Sequence, residues 1–133
     1  MTRYQGSTHV DLADPVALRD LGRVVIALLE KWGLSAEQQL ALLASKGQSV
    51  STLQQLNNGD CSLPPAVLQR FGHLIGIHGS LRLLFPEDKE LRFSWIWRRN
   101  LAFDGLAPID IMLRDGADGI ARVWAVLDQQ CMQ

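Results

Sequence analysis

The chain has 133 residues, 47% of them hydrophobic, and 13 Lys and Arg stand against 14 Asp and Glu for a net charge of −1. That apolar content and length supply a real core, which excludes disorder over most of the chain and fits one compact domain or two small lobes sharing a core. The charge balance excludes an overall attraction to nucleic acid or an anionic membrane, no apolar run reaches the ~18–20 residues of a membrane span, and Cys61 and Cys131 have no metal-ligand spacing and build no disulfide framework.

Residues 1–13 read as an N-terminal arm. They lack the apolar stretch of a signal peptide, so a cytoplasmic protein is expected. Asp14-Pro15 starts a helix, with Asp as cap and Pro at the first helical position. Leu18, Leu21, Val25, Leu28 and Trp32 then recur at steps of three and four, one apolar stripe that Gly33 ends. Ser35 through Gln38 forms a capping box. The helix it opens, to about Ala44, is expected to bury Leu40 and Leu43. Ser49, with Thr52 at the third helical position, caps a short helix from Val50 to about Asn57, closed by Asn58-Gly59.

Leu63-Pro64-Pro65 begins a long apolar stretch through Leu84. Its Gly72, Gly76 and Gly79 each weaken a helix by roughly 1 kcal/mol relative to Ala. They mark either close packing or a break into two helices near 76–79. Pro86 is expected to start the next helix, up to Arg98, followed by short helices from Pro108 to Arg114 and from Ala117 or Asp118 to Gln129. No strand-like alternation occurs, so the fold class is all-α.

The stretch LFPEDKELRFSWIWRRNLAFDGLAPIDIML, residues 84–113, breaks the helical repeat with unevenly spaced landmarks. These are Trp95, Asn100, Phe103, Gly105 and Pro108-Ile109-Asp110. The run resembles the C-terminal toxin-binding region of the MbcA/ParS/Xre antitoxin family. Its pattern is an LFP segment, then W-L-x-x-P-N, an apolar loop residue, a Gly, S/T/A-P-L-x-x-L and a closing amphipathic helix. Arg99 stands where the family usually has Pro. Asn100 suits a helix end, since it tolerates left-handed backbone. The resemblance implies a degenerate helix-turn-helix half over residues 1–63 packed with a toxin-binding half over 64–133. It implies an antitoxin that covers a cognate toxin, in many operons a NAD-consuming RES-domain enzyme, with no cofactor of its own.

The same resemblance matches Glu37-Gln38 and Leu42-Leu43 to the first helix of a helix-turn-helix, and Ser49, Thr52 and Leu53 to the second. Ser49, Ser51, Thr52, Gln54, Gln55, Asn57 and Asn58 are then the candidate contacts to operator DNA, and a homodimer is expected because operators are read in twofold pairs. The electrostatics oppose this. Across residues 33–63 Lys46 is the sole cation, against Glu37 and Asp60, while phosphate neutralisation supplies most non-specific affinity. The turn is also about three residues longer than in relatives. A packing unit of helix-turn-helix shape is the competing reading.

For the toxin, the candidate contacts are Trp97, Arg98, Arg99, Asn100, Phe103, Pro108, Asp110, Arg122 and Trp124. Core packing competes for the apolar ones, Trp95, Phe103, Ile109 and Leu113 above all. Trp97 lies two residues from Trp95, about 200° round a helix, so one of the pair is expected outside. Trp and Arg are enriched in binding hot spots. The last helix lines up Ile120, Val123, Trp124 and Leu127 as core, a dimer seam or a toxin-entering element. An enzyme is not expected: His9, His73 and His78 have no partner at catalytic or metal-binding spacing, and Asp115 to Gly119 lacks the ligands of a calcium loop. A stand-alone DNA-binding regulator and a pure protein adaptor are the rival functions.

Overall fold

The computed structural model describes residues 15–43 and 65–132, with side chains from residue 20 onward. Pro15 opens α1 (Pro15–Lys31), where a missing N–H leaves no hydrogen bond unmade. Leu21, Val25, Leu28 and Trp32 of the expected stripe are buried, joined by Ile26 and Leu29. Gly33 ends the helix at φ +80°, a conformation that side chains with a Cβ resist.

The capping box at Ser35 is present. Its N–H donates to Gln38 Oε1 at 2.9 Å, and the Gln38 N–H donates to Ser35 Oγ at 3.2 Å. It opens α2 (Ala36–Leu43), whose buried face is Gln39, Leu42 and Leu43, while Leu40 is only half covered. Gln39 tolerates burial because its side-chain amide donates to the Leu34 carbonyl at 3.1 Å. The second helix-turn-helix element expected over 49–58 lies outside the described residues.

The next helix, α3 (Pro65–Leu84), runs unbroken through its glycines, so the break expected as one alternative near 76–79 does not occur. Val67, Phe71, Leu74, Ile77 and Leu81 are buried, with Leu68, Ile75 and Leu84 partly so, while Gln69, Gly72 and Leu83 stay exposed. So broad a buried face places the helix centrally, and α3 touches α1, α2 and helices that follow it. Arg70 donates to the carbonyls of Leu42 (3.1 Å) and Ala41 (3.4 Å), tying the C-terminal end of α2 to α3.

The helix expected from Pro86 to Arg98 is shorter: α4 spans Lys89–Ser94. Asp88 is its cap, accepting from the Leu91 N–H at 2.9 Å, which moves the start three residues beyond Pro86. The chain then tightens into a 3-10 turn, Trp95–Trp97, and after an extended step into a second, Leu101–Phe103. Two helices close the fold, α5 (Pro108–Asp115) and α6 (Ala117–Cys131).

Of the last helix's stripe, Ile120, Val123 and Leu127 are fully buried and therefore core, with Trp124 half-buried at its border. The most extensive helix pair is α3 with α6. Gly76 permits it, since a Cβ there would overlap the Trp124 indole. Gly119 likewise lets α6 meet α5, because a Cβ there would overlap the Ile111 carbonyl oxygen. The buried residues form one continuous cluster from Leu21 to Leu127. Among the described residues the regular structure is all helical, and no helix is long and apolar enough to cross a membrane.

Candidate functional site

The 3-10 turn Trp95–Trp97 sets the first part of the surface. Trp95 is 8% exposed and meets Phe103 edge-on, with ring centroids 6.5 Å apart. Trp97, two residues on, is 43% exposed. Its free face is outward, yet its indole N–H donates to the Trp32 carbonyl at 2.7 Å, so the ring is fixed. Arg98 and Arg99 follow on extended backbone, both exposed and with no ion-pair partner among the described residues.

Residues 100–106 close into a small ring. The Asn100 N–H donates to the Leu106 carbonyl at 3.1 Å, and the Asn100 carbonyl accepts from Phe103 (3.0 Å) and Gly105 (3.1 Å). The Asn100 side chain also accepts from the Ala102 N–H at 2.9 Å, capping the second 3-10 turn. This corrects the expectation for Asn100: it is extended (φ −144°, ψ 131°), and the left-handed residue is Asp104 at φ 57°. Gly105 follows at φ +84°, the turn glycine expected there. Phe103 is fully buried and anchors the ring from beneath.

Arg122 reaches this ring from α6. Its guanidinium lies 5.4 Å from the Phe103 ring centroid, donates to the Ala102 carbonyl at 3.5 Å, and sits 4.0 Å from the Asp104 carboxylate. Beyond the ring, Pro108 is buried at the start of α5, and Asp110 is exposed with its carboxylate accepting from the Ala107 N–H at 3.3 Å. Arg114 pairs with Asp115 at 2.9 Å, and that hydrogen bond draws the Asp115 carboxyl below its ordinary range. Arg114 is thereby occupied, whereas Arg98 and Arg99 have no ion-pair partner among the described residues.

This surface spans a matched segment of sequence: residues 80–130 match the family described as the antitoxin Xre/MbcA/ParS C-terminal toxin-binding domain. The C-terminal region of the chain belongs to the Xre/MbcA/ParS antitoxin family. It is similar also to the uncharacterized protein y4oB of Sinorhizobium fredii, 36% identical over 103 residues, which are 77% of this chain and 78% of that one. No solved structure is a significant match. The match places the antitoxin in toxin–antitoxin systems, with a protein toxin as the partner of its C-terminal region, and the matched domain is not of a known enzyme family.

The fold brings Trp97, Arg98, Arg99, Asn100 and Arg122 to one ring, with Phe103 anchoring it from below and Pro108 buried at the start of α5. Trp124 is not with them. Two residues from Arg122 on a helix, it points away, stacked on His73 with centroids 5.6 Å apart and lying over Gly76. Leu101 was not singled out by sequence reasoning, and its exposure carried no signal there, because an apolar residue beside Phe103 reads as core.

A second feature also escaped the sequence. Lys31 of α1, His78 and Arg82 of α3, and Arg92 of α4 converge near Phe93, with Lys31 Nζ 5.9 Å above that ring and His78 stacked on it at 5.7 Å. Burial, and then these cations, hold the His78 imidazole below its ordinary pKa. His73 and His78 thus face different aromatic rings, as their five-residue spacing on one helix requires. Among the described residues no group of three or more His, Cys, Asp or Glu is placed to hold a metal ion.

Proposed function

We propose that this antitoxin neutralises its toxin by occlusion, laying the surface from Trp97 to Asp110, with Arg122, across the toxin's active site. The observation that carries the reading is the pair Arg98 and Arg99, exposed and without ion-pair partners among the described residues, beside a ring whose backbone is already fixed. A preordered surface loses less conformational entropy on binding. Rim arginines speed encounter with an acidic partner and lock its register. The family resemblance favours a RES-domain, NAD-consuming enzyme as the toxin. In this reading residues 64–133 bind the toxin, and Trp124 contributes by seating α6 on α3.

Co-expression with the product of the adjoining reading frame, with a tag on one chain alone, tests the proposal. A stable complex, growth rescue in the toxin's presence, and loss of both in the double variant Arg98→Glu/Arg99→Glu are expected. A complex that survives the double variant unweakened would refute this placement of the interface.

Operon autoregulation by a homodimer is the second reading. It is favoured by the Ser35–Gln38 capping box, which opens α2 where the first helix of a helix-turn-helix would lie. Residues Ser49, Ser51, Thr52, Gln54, Gln55, Asn57 and Asn58 would then contact DNA. With Lys46 the sole cation across residues 33–63, binding through that segment should fall only gently with salt, and a promoter-shift assay at two salt concentrations tests it.

A further inference from the structure

We infer that the 100–106 ring presents Leu101 as an apolar knob to the toxin, which receives it in an apolar socket bordered by carboxylates. Leu101 is 94% exposed, although it sits in the second 3-10 turn, on backbone pinned by Asn100 and by buried Phe103. Among the described residues its side chain has no place in the buried core. Leu106, whose carbonyl closes the same ring, is 38% exposed. One exposed Leu alone is ordinary on a protein surface. Two on one rigid seven-residue ring, next to a half-exposed Trp97, form a small apolar projection of fixed shape.

The charges around the projection specify the occupant. Arg98 and Arg99 precede it without ion-pair partners among the described residues, while Arg122 on the far side is paired with the exposed Asp104 carboxylate of the ring at 4.0 Å. An apolar centre flanked on one side by an unpaired arginine pair fits a socket with an apolar floor and carboxylates along that side, the centre-and-rim arrangement of binding hot spots. A second copy of this chain is the competing occupant, since a twofold interface sets a patch against itself. The ring lies inside the segment matched to the toxin-binding domain, which selects the toxin as the occupant.

This inference rests on the occlusion reading, and one set of variants separates the two. The tagged antitoxin, with Leu101→Ala, Leu101→Glu or Arg98→Glu/Arg99→Glu, is co-expressed with the untagged product of the adjoining reading frame, and affinity is measured on the purified chains. Leu101→Ala is expected to weaken binding by about tenfold or more. Leu101→Glu is expected to abolish capture, with helical circular dichroism and thermal midpoint unchanged. If Leu101→Glu loses helicity, Leu101→Ala alone decides. Wild-type affinity in both Leu101 variants, with binding lost in the double Arg variant, overturns the knob and leaves occlusion standing. Capture of nothing by the unaltered chain overturns occlusion and the knob together. A drop in the mass of the isolated chain on Leu101→Glu, with toxin affinity unchanged, assigns the knob to a second copy and overturns the inference.

Discussion

The indole N–H of Trp97 donates to the main-chain carbonyl of Trp32 at 2.7 Å, a bond between residues 65 positions apart. It ties the surface segment that leads into the 100–106 ring to the turn between α1 and α2. Trp32 stands immediately before Gly33, whose left-handed backbone sets where α2 begins. Any shift of Trp97 is therefore felt at the junction of the N-terminal helix pair. Trp97→Phe keeps a ring and removes the donor, so stability should fall by about 1 kcal/mol, the ordinary worth of such a bond. Urea denaturation measures it. Faster amide exchange at Gly33 and Leu34 should accompany the loss, and unchanged exchange there would show that the two regions are not coupled.

Three glycines should respond to the same substitution with different signs. At Gly72 an added methyl meets no neighbouring atom, so Gly72→Ala should stabilise by about 0.5–1 kcal/mol through helix propensity. At Gly76 the methyl would overlap the Trp124 ring, which is held by its stack on His73, and the change should destabilise by about 1–3 kcal/mol. Gly119→Ala should be the worst, because the obstacle is the Ile111 main-chain carbonyl, which cannot rotate away. Thermal midpoints of the three variants give the order directly. Adding Trp124→Leu to Gly76→Ala should recover part of the second loss and none of the third.

These glycines also mark where sequence reading ended. Signals confined to a few neighbouring residues were legible: Gly33 as a helix end, the Ser35–Gln38 box, Pro108 as a first helical residue, and Trp95 inside with Trp97 outside. Each depends on backbone geometry within one turn. Pro86 is the expected helix start, and the structure moves it to Asp88, whose side chain accepts from the Leu91 N–H. The role of Gly76 depends on Trp124 in another helix, which no local pattern contains. Asn100 was legible as a landmark but not in its conformation, because its extended backbone comes from closing a ring with Leu106. The cations around His78 come from three helices, so a charge count along the chain could register an excess but not a cluster.

That cluster predicts a pH dependence. His78 is held below its ordinary imidazole pKa of 6.5, first by burial and then by Arg82, Arg92 and Lys31. At pH values between the lowered native pKa and 6.5 the unfolded chain binds a proton that the folded chain does not, so stability there rises with pH. The penalty is absent well above 6.5, sets in as pH falls through that value, and reaches its full size below the native pKa. Urea midpoints between pH 7.5 and 5.5, above the range of ordinary carboxylates, should therefore decline on acidification. His78→Gln removes the titrating group and should flatten the slope. An equally steep slope in that variant would assign the effect to another group.

Asn100 joins the fold to the proposed interface, and two substitutions separate its contributions. Its side-chain oxygen accepts from the Ala102 N–H at 2.9 Å, while its main chain makes the bonds that close the ring on Leu106, Phe103 and Gly105. Asn100→Ala retains the main-chain bonds and removes the cap, so global stability should fall by about 1 kcal/mol, the usual worth of a capping side chain. Asn100→Asp keeps an acceptor in place and should fold like the parent. Toxin affinity should fall further in the alanine variant than the stability loss alone explains, since a loosened ring must be ordered again on binding. The aspartate variant should bind close to wild type, apart from a small loss from a negative charge beside Arg98 and Arg99 that now pairs within the chain. Calorimetry of both variants against the purified toxin, beside their urea midpoints, measures the two effects independently. Equal affinities in the alanine and parent proteins would mean that the order of the ring contributes nothing to binding.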